Sequence, residues 1–143
     1  MSPTVVPNPI GSLQEDAAFS LHDGEIQELT VDRQGRRVRL VVHGGNLQIG
    51  YRSLTFEFRD ACIVPENYQR LAFAIGAIYR SDRWGNVVTI IRKQSLLQNG
   101  DRFVLSLTLW PFHRFAIDFA TVAIYNEPAG PPVHKPGVFR FTS

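Results

Sequence analysis

The strongest constraint on this chain is a hydrophobic alternation with period two, repeated four times. Val38, Leu40 and Val42 alternate with Arg37, Arg39 and Val41, and Leu54, Phe56 and Phe58 alternate with Thr55, Glu57 and Arg59. Phe103, Leu105, Leu107 and Leu109 alternate with Val104, Ser106, Thr108 and Trp110, and Phe115, Ile117 and Phe119 with Ala116, Asp118 and Ala120. Successive side chains of a strand point to opposite faces, so each run has one apolar face to bury. Runs of this kind belong to antiparallel sheets packed on one side.

Turn-forming residues separate these runs. Asp32-Arg33-Gln34-Gly35, His43-Gly44-Gly45-Asn46, Ser81-Asp82-Arg83-Trp84-Gly85-Asn86 and Gln98-Asn99-Gly100-Asp101 all read as turns. Further strands are expected at 25–31, 47–51, 73–80 and 87–93. Residues 66–76 fit a short helix through Tyr68, Leu71, Ala72 and Ile75, and fit a strand equally well through Leu71, Phe73 and Ile75. The expected fold is an all-β antiparallel sandwich or half-open barrel of about eight strands, with room for one short helix.

One pattern recurs within the chain. Leu54-Thr55-Phe56-Glu57-Phe58 followed by Ala61-Cys62-Ile63 is matched by Phe115-Ala116-Ile117-Asp118-Phe119 followed by Val122-Ala123-Ile124. Two copies cannot build a repeat array, so they read as two similar meander halves of one domain.

The 143 residues, 44% hydrophobic and 20% charged, suit one globular domain with a core that needs no disulfide or metal. Residues 1–15, with Pro3, Pro7 and Pro9, read as a flexible arm that cannot be helix. Residues 16–127 form the single β domain, and 128–143 a Pro/Gly-rich tail in which Val138, Phe139 and Phe141 have the makings of a short terminal strand. The start of the chain lacks the basic region of a Sec signal peptide, and no apolar run approaches the roughly 18 residues of a membrane span. The expectation is a soluble, cytoplasmic protein without membrane contact. Cys62 is the only cysteine, which excludes an intrachain disulfide.

Thirteen Arg against two Lys is an unusual ratio, but the arginines are dispersed and the formal charge is only +2. That is no footprint for nucleic acid; a skewed genomic base composition accounts for it.

Chemistry-bearing residues are sparse. His22-Asp23 has no clustered partners, since His43, His113 and His134 fall in turns and a tail, so neither metal nor cofactor is expected. Glu57 and Asp118, equivalent in the repeat, suggest the carboxylate pair of a small hydrolase, or simply partners for Arg39, Arg59 or Arg114. Cys62, in an apolar run, is expected to be packed rather than nucleophilic.

His22-Asp23-x-x-Ile26, Leu54-x-Phe56-x-Phe58 and Phe115-x-Ile117-x-Phe119 together resemble small bacterial all-β domains of unknown function, some thought to act like immunity proteins that bind toxins. The resemblance spans roughly residues 20–125 and implies a protein partner but no catalytic residues. Arg33-Gln34-Gly35-Arg36-Arg37, with Asn46-Leu47-Gln48-Ile49-Gly50 nearby, resembles part of the cyclic-dinucleotide-binding PilZ domain. The Asp/Asn-x-Ser-x-x-Gly segment of that family is missing.

Aromatic turns are the better functional signal. Arg83 and Trp84 sit at an expected hairpin tip, and Trp110, Phe112, His113 and Arg114 crowd another connection. Trp and Arg dominate binding hot spots, although amphipathic aromatics also cap sheet edges. The favoured reading is a non-enzymatic module that uses these six residues to bind a protein partner, with an edge-strand dimer left open. The alternatives are a small-ligand or cyclic-nucleotide receptor using Arg33, Arg36 and Arg37, and the hydrolase.

Overall fold

The computed structural model describes residues 4–13, 24–46, 50–64, 90–110, 113–131 and 138–142. They form ten strands and one helical turn. These are β1 (Thr4–Val5), α1 (Pro9–Ser12), β2 (Glu25–Asp32), β3 (Arg37–Asn46), β4 (Gly50–Arg59), β5 (Cys62–Val64), β6 (Ile90–Asn99), β7 (Arg102–Trp110), β8 (His113–Phe119), β9 (Thr121–Ala129) and β10 (Val138–Thr142). The expected strands at 73–80 and in the first part of 87–93, the ambiguous 66–76 and the turn at 81–86 lie outside the described residues.

The strands make two antiparallel layers, β1-β9-β4-β3-β2 and β6-β7-β8-β5, and β10 adds parallel to β2. Each alternating run buries the face its pattern assigned. Val38, Leu40 and Val42 from β3 and Leu54, Phe56 and Phe58 from β4 meet Leu105, Leu107 and Leu109 from β7 and Phe115, Ile117 and Phe119 from β8. Burying one such side chain contributes about 1.5–3 kcal/mol. This apolar interior is therefore the main stabilising term.

The two layers are joined along both sides. On one side Glu25 of β2 pairs with Ile90 of β6, and Ile91 N–H donates to the Gly24 carbonyl at 2.9 Å. On the other, β4 and β5 behave as one strand bent at Asp60, and β8 and β9 as one strand bent at Ala120. Arg59 pairs with Thr121 in the β4–β9 ladder and Cys62 with Asp118 in the β5–β8 ladder, so the register passes around the corner without a slip. The domain is thus a sandwich with barrel-like closure.

This corner explains the repeat. Leu54 corresponds to Phe115, Phe58 to Phe119, Ala61 to Val122 and Ile63 to Ile124, a constant offset that turns the bent ladder into a pseudo-two-fold arrangement. The equivalence extends outward: β3 pairs with β4 as β7 pairs with β8, placing Val38 opposite Phe58 and Phe103 opposite Phe119. The first strand of each half also carries a register shift, between Ile26 and Glu28 in β2 and between Ile91 and Lys93 in β6. Each half gives three strands to one layer and one to the other. At each bend the inward-facing parity changes: Phe56 and Phe58 face in before Asp60, and Ala61 and Ile63 after it. Phe58 and Phe119 meet edge to face, ring centroids 4.9 Å apart.

Three expectations require correction. Residues 4–13 are not a free arm, because they tie one layer to the other. Thr4 and Val5 pair with Asn126 and Tyr125 on β9, and Val6 N–H donates to the Ile124 carbonyl at 2.9 Å. Leu13 is fully buried, and its carbonyl accepts from the buried Gln94 amide on β6 at 2.9 Å. Two apolar side chains on an irregular segment leave no periodicity, so no sequence pattern marks them for burial.

The same segment holds a helical turn where its prolines argued against one. Pro9 occupies the first turn, where its missing N–H removes no bond. Asn8 caps the turn by accepting from Gly11 N–H at 3.2 Å.

His43-Gly44-Gly45-Asn46 is not a turn either. β3 continues through it, pairing His43 with Ser53 and Asn46 with Gly50. The His43 side chain is buried, its Nε2 lies 2.7 Å from the Gly130 carbonyl, and its ring tilts against Tyr51. A carbonyl only accepts, so Nε2 carries the proton. Burial and that bond hold the segment in the sheet against its turn-like composition.

Candidate functional site

On the outer face of the β2–β3–β4 sheet, the register sets side chains in rows. Thr30, Arg39 and Glu57 form one row across β2, β3 and β4, and Asp32, Arg37 and Arg59 form the next, extended by Thr121 on β9. These side chains face solvent because Val31, Val38 and Phe58 take the inward positions. The six on β2, β3 and β4 line a shallow depression of about 210 Å³, with Val38 and Phe58 at its base.

The two rows differ in charge balance. Arg39 bridges two carboxylates: its Nε lies 3.3 Å from Glu28 Oε2, and its Nη1 lies 3.7 Å from Glu57 Oε1. Arg37 and Arg59 stand directly opposite one another, exposed, and neither is paired with a carboxylate among the described residues. Direct cross-strand neighbours have Cβ atoms about 4.5–5.5 Å apart, where like charges repel. Asp32, beside Arg37, has Oδ1 occupied by Gly35 N–H at 3.0 Å, closing the β2–β3 turn.

A second ionic cluster lies at the corner. Arg36 Nε is 2.8 Å from Asp60 Oδ1. Arg102, at the start of β7, reaches Asp60 Oδ2 with Nη1 at 2.8 Å, the Asp60 carbonyl with Nη2 at 2.7 Å, and Asp118 Oδ1 with Nε at 2.6 Å. Two cations and two anions balance within this network. Hydrogen bonds first from Arg36 and then from Arg102 hold the Asp60 carboxyl below the usual carboxylate range. The cluster braces the bend, and its donors point at its own acceptors.

The expected site residues fall as follows. Arg83, Trp84 and Phe112 lie outside the described residues. Trp110 ends β7 and His113 begins β8, so both flank the same connection, with Leu109 paired to His113. Arg114 is exposed opposite Thr108. Arg33, Arg36 and Arg37 do not converge: Arg36 turns to Asp60, while Arg37 lies across from Arg59.

Glu57 and Asp118 are likewise held apart. Glu57 lies opposite Ala123 and near Arg39, while Asp118 lies opposite Cys62 around the corner and is bound by Arg102. Cys62, expected to be packed, is half-buried on the face opposite Ala61 and Ile63. Among the described residues no three His, Cys, Asp or Glu side chains are grouped to hold a metal ion, and no helix is long and apolar enough to cross a membrane.

Arg59 is the site residue that sequence reasoning missed, since composition marks it only as a carboxylate's partner. The Arg37–Arg59 juxtaposition depends on β3 and β4 pairing through Asn46 and Gly50, and the turn-like composition at 43–46 conceals that register.

Fold and surface together define an all-β domain with its halves interlocked at a corner and, on one outer face, an arginine pair without an ion-pair partner among the described residues. Comparison with known protein families, with curated proteins and with solved structures finds no match to this chain.

Proposed function

We propose that this protein is a non-enzymatic, cytoplasmic interaction module that binds a protein partner through the outer face of the β2–β3–β4 sheet. The observation that carries this reading is the pair Arg37 and Arg59: two exposed guanidiniums, cross-strand neighbours, neither in an ion pair among the described residues, lining a depression. Arg is suited to such a role because its planar fork engages carboxylates in two parallel bonds. The partner therefore presents acidic side chains. A receptor built on Arg33, Arg36 and Arg37 has less support, since Arg36 is engaged with Asp60.

The test is affinity capture from the native host with the wild-type chain and with the Arg37→Ala/Arg59→Ala double variant. Both positions are exposed, so each single change should alter stability by no more than about 0.5 kcal/mol. The reading expects a captured protein, eluted by moderate salt, that the double variant fails to retain. Equal retention by both chains would remove this face as the interface.

A further inference from the structure

We infer that Arg37 and Arg59 jointly receive a single phosphate monoester carried on a side chain of the partner; this rests on the reading of the face given above. Each row of the sheet leads to that chemistry. The Arg39 row is already neutralised by Glu28 and Glu57, and the Arg36–Arg102 cluster by Asp60 and Asp118. Of these groups, the Arg37–Arg59 row alone sets two guanidiniums side by side, neither ion-paired among the described residues, with Asp32 as the one acid beside them. A lone carboxylate supplies one negative charge and two oxygens. A phosphate monoester at neutral pH supplies close to two charges and three acceptor oxygens, enough to engage both guanidiniums at once.

The surroundings also set the size of the ligand. Asp32 borders the pair on β2, and Glu57 lies in the adjoining row on β4. Their carboxylates repel any anion, and they repel one that extends along the face, as nucleic acid does, more than a compact one centred on the two arginines. Thr121 on β9 stands beside Arg59 as a neutral hydroxyl where a further acid would have closed the site.

The experiment uses the full chain and a fluorescein-labelled glycine–alanine peptide bearing one phosphoserine, compared with otherwise identical peptides bearing glutamate or serine. Fluorescence anisotropy should show the phosphoserine peptide binding about tenfold or more tightly than the glutamate peptide, with inorganic phosphate as a competitor. Arg37→Gln and Arg59→Gln should each weaken phosphopeptide binding about tenfold. Arg92→Gln, on the exposed part of β6, should leave it unchanged. Equal affinity for phosphoserine and glutamate, lost in both variants, would overturn the phosphate assignment while preserving the acidic-partner reading. Binding of inorganic phosphate without binding of the phosphopeptide would overturn the side-chain source. Failure of every probe would overturn the inference; the reading beneath it falls only if partner capture is also indifferent to the double variant.

Discussion

Arg36 and Asp60 are the two non-glycine residues with left-handed backbones among the described residues, at φ of 52° and 48°, and they are bonded to each other. Arg36 Nε reaches Asp60 Oδ1 at 2.8 Å, and the Arg36 carbonyl accepts Ala61 N–H at 2.7 Å. Asp60 is where the chain leaves one layer for the other, and Arg36 closes the β2–β3 turn beside it. Left-handed backbone is unfavourable for most L-residues and least so for Asp and Asn. The paired bonds thus hold two unfavourable conformations at the point where the fold changes layer.

That arrangement predicts a pH signature. The folded carboxyl of Asp60 is depressed below its unfolded value of 3.8. Its contribution to stability is therefore fully present above 3.8 and is lost as pH falls through the lower folded value. Thermal midpoints of wild type and Asp60→Asn should differ at neutral pH, and the difference should shrink as pH falls below 3.8. A difference that stays constant with pH would show that the carboxylate's charge plays no part.

Residues 4–13 should be required for full stability. Leu13→Ala removes a fully buried side chain and should cost about 2–5 kcal/mol. Deleting residues 1–13 should lower the midpoint by several degrees or more, since each kcal/mol is worth a few degrees at this size. An unchanged midpoint would show that the segment does not hold the layers together.

Phe58 and Phe119 should be energetically coupled across the corner. Each single substitution to Ala should cost about 3–5 kcal/mol. Their edge-to-face contact should appear in a double-mutant cycle as about 0.5–1.5 kcal/mol. Strict additivity in denaturant unfolding would mean that the rings stabilise the two layers independently.

Two glycines should respond in opposite ways. Gly100, in the β6–β7 turn, has φ of +64°, so Gly100→Ala should destabilise by about 1–2 kcal/mol. Gly44 sits within β3 without a positive φ, and a methyl group added there would meet nothing within 4 Å. Gly44→Ala should therefore be neutral or stabilise by up to about 1 kcal/mol. Chemical denaturation of the two variants separates these signs.

The inward faces of β3, β4, β7 and β8 were legible in the amino-acid order alone, because a period of two assigns every side chain to a side once the strand exists. So was the presence of two similar halves in one domain, since Leu54–Phe58 and Phe115–Phe119 carry the same pattern. How those halves interlock, through a ladder that bends at Asp60 and Ala120 without changing register, is a property of the folded chain. Folding likewise seats Val6 and Leu13 between the layers and keeps His43–Asn46 in strand, where burial and a bond to Gly130 outweigh turn propensity. The Arg37–Arg59 pair belongs to the same class. Alternation shows that both arginines face outward, but their meeting depends on which residues pair across the β3–β4 hairpin, a long-range relation that local composition does not encode.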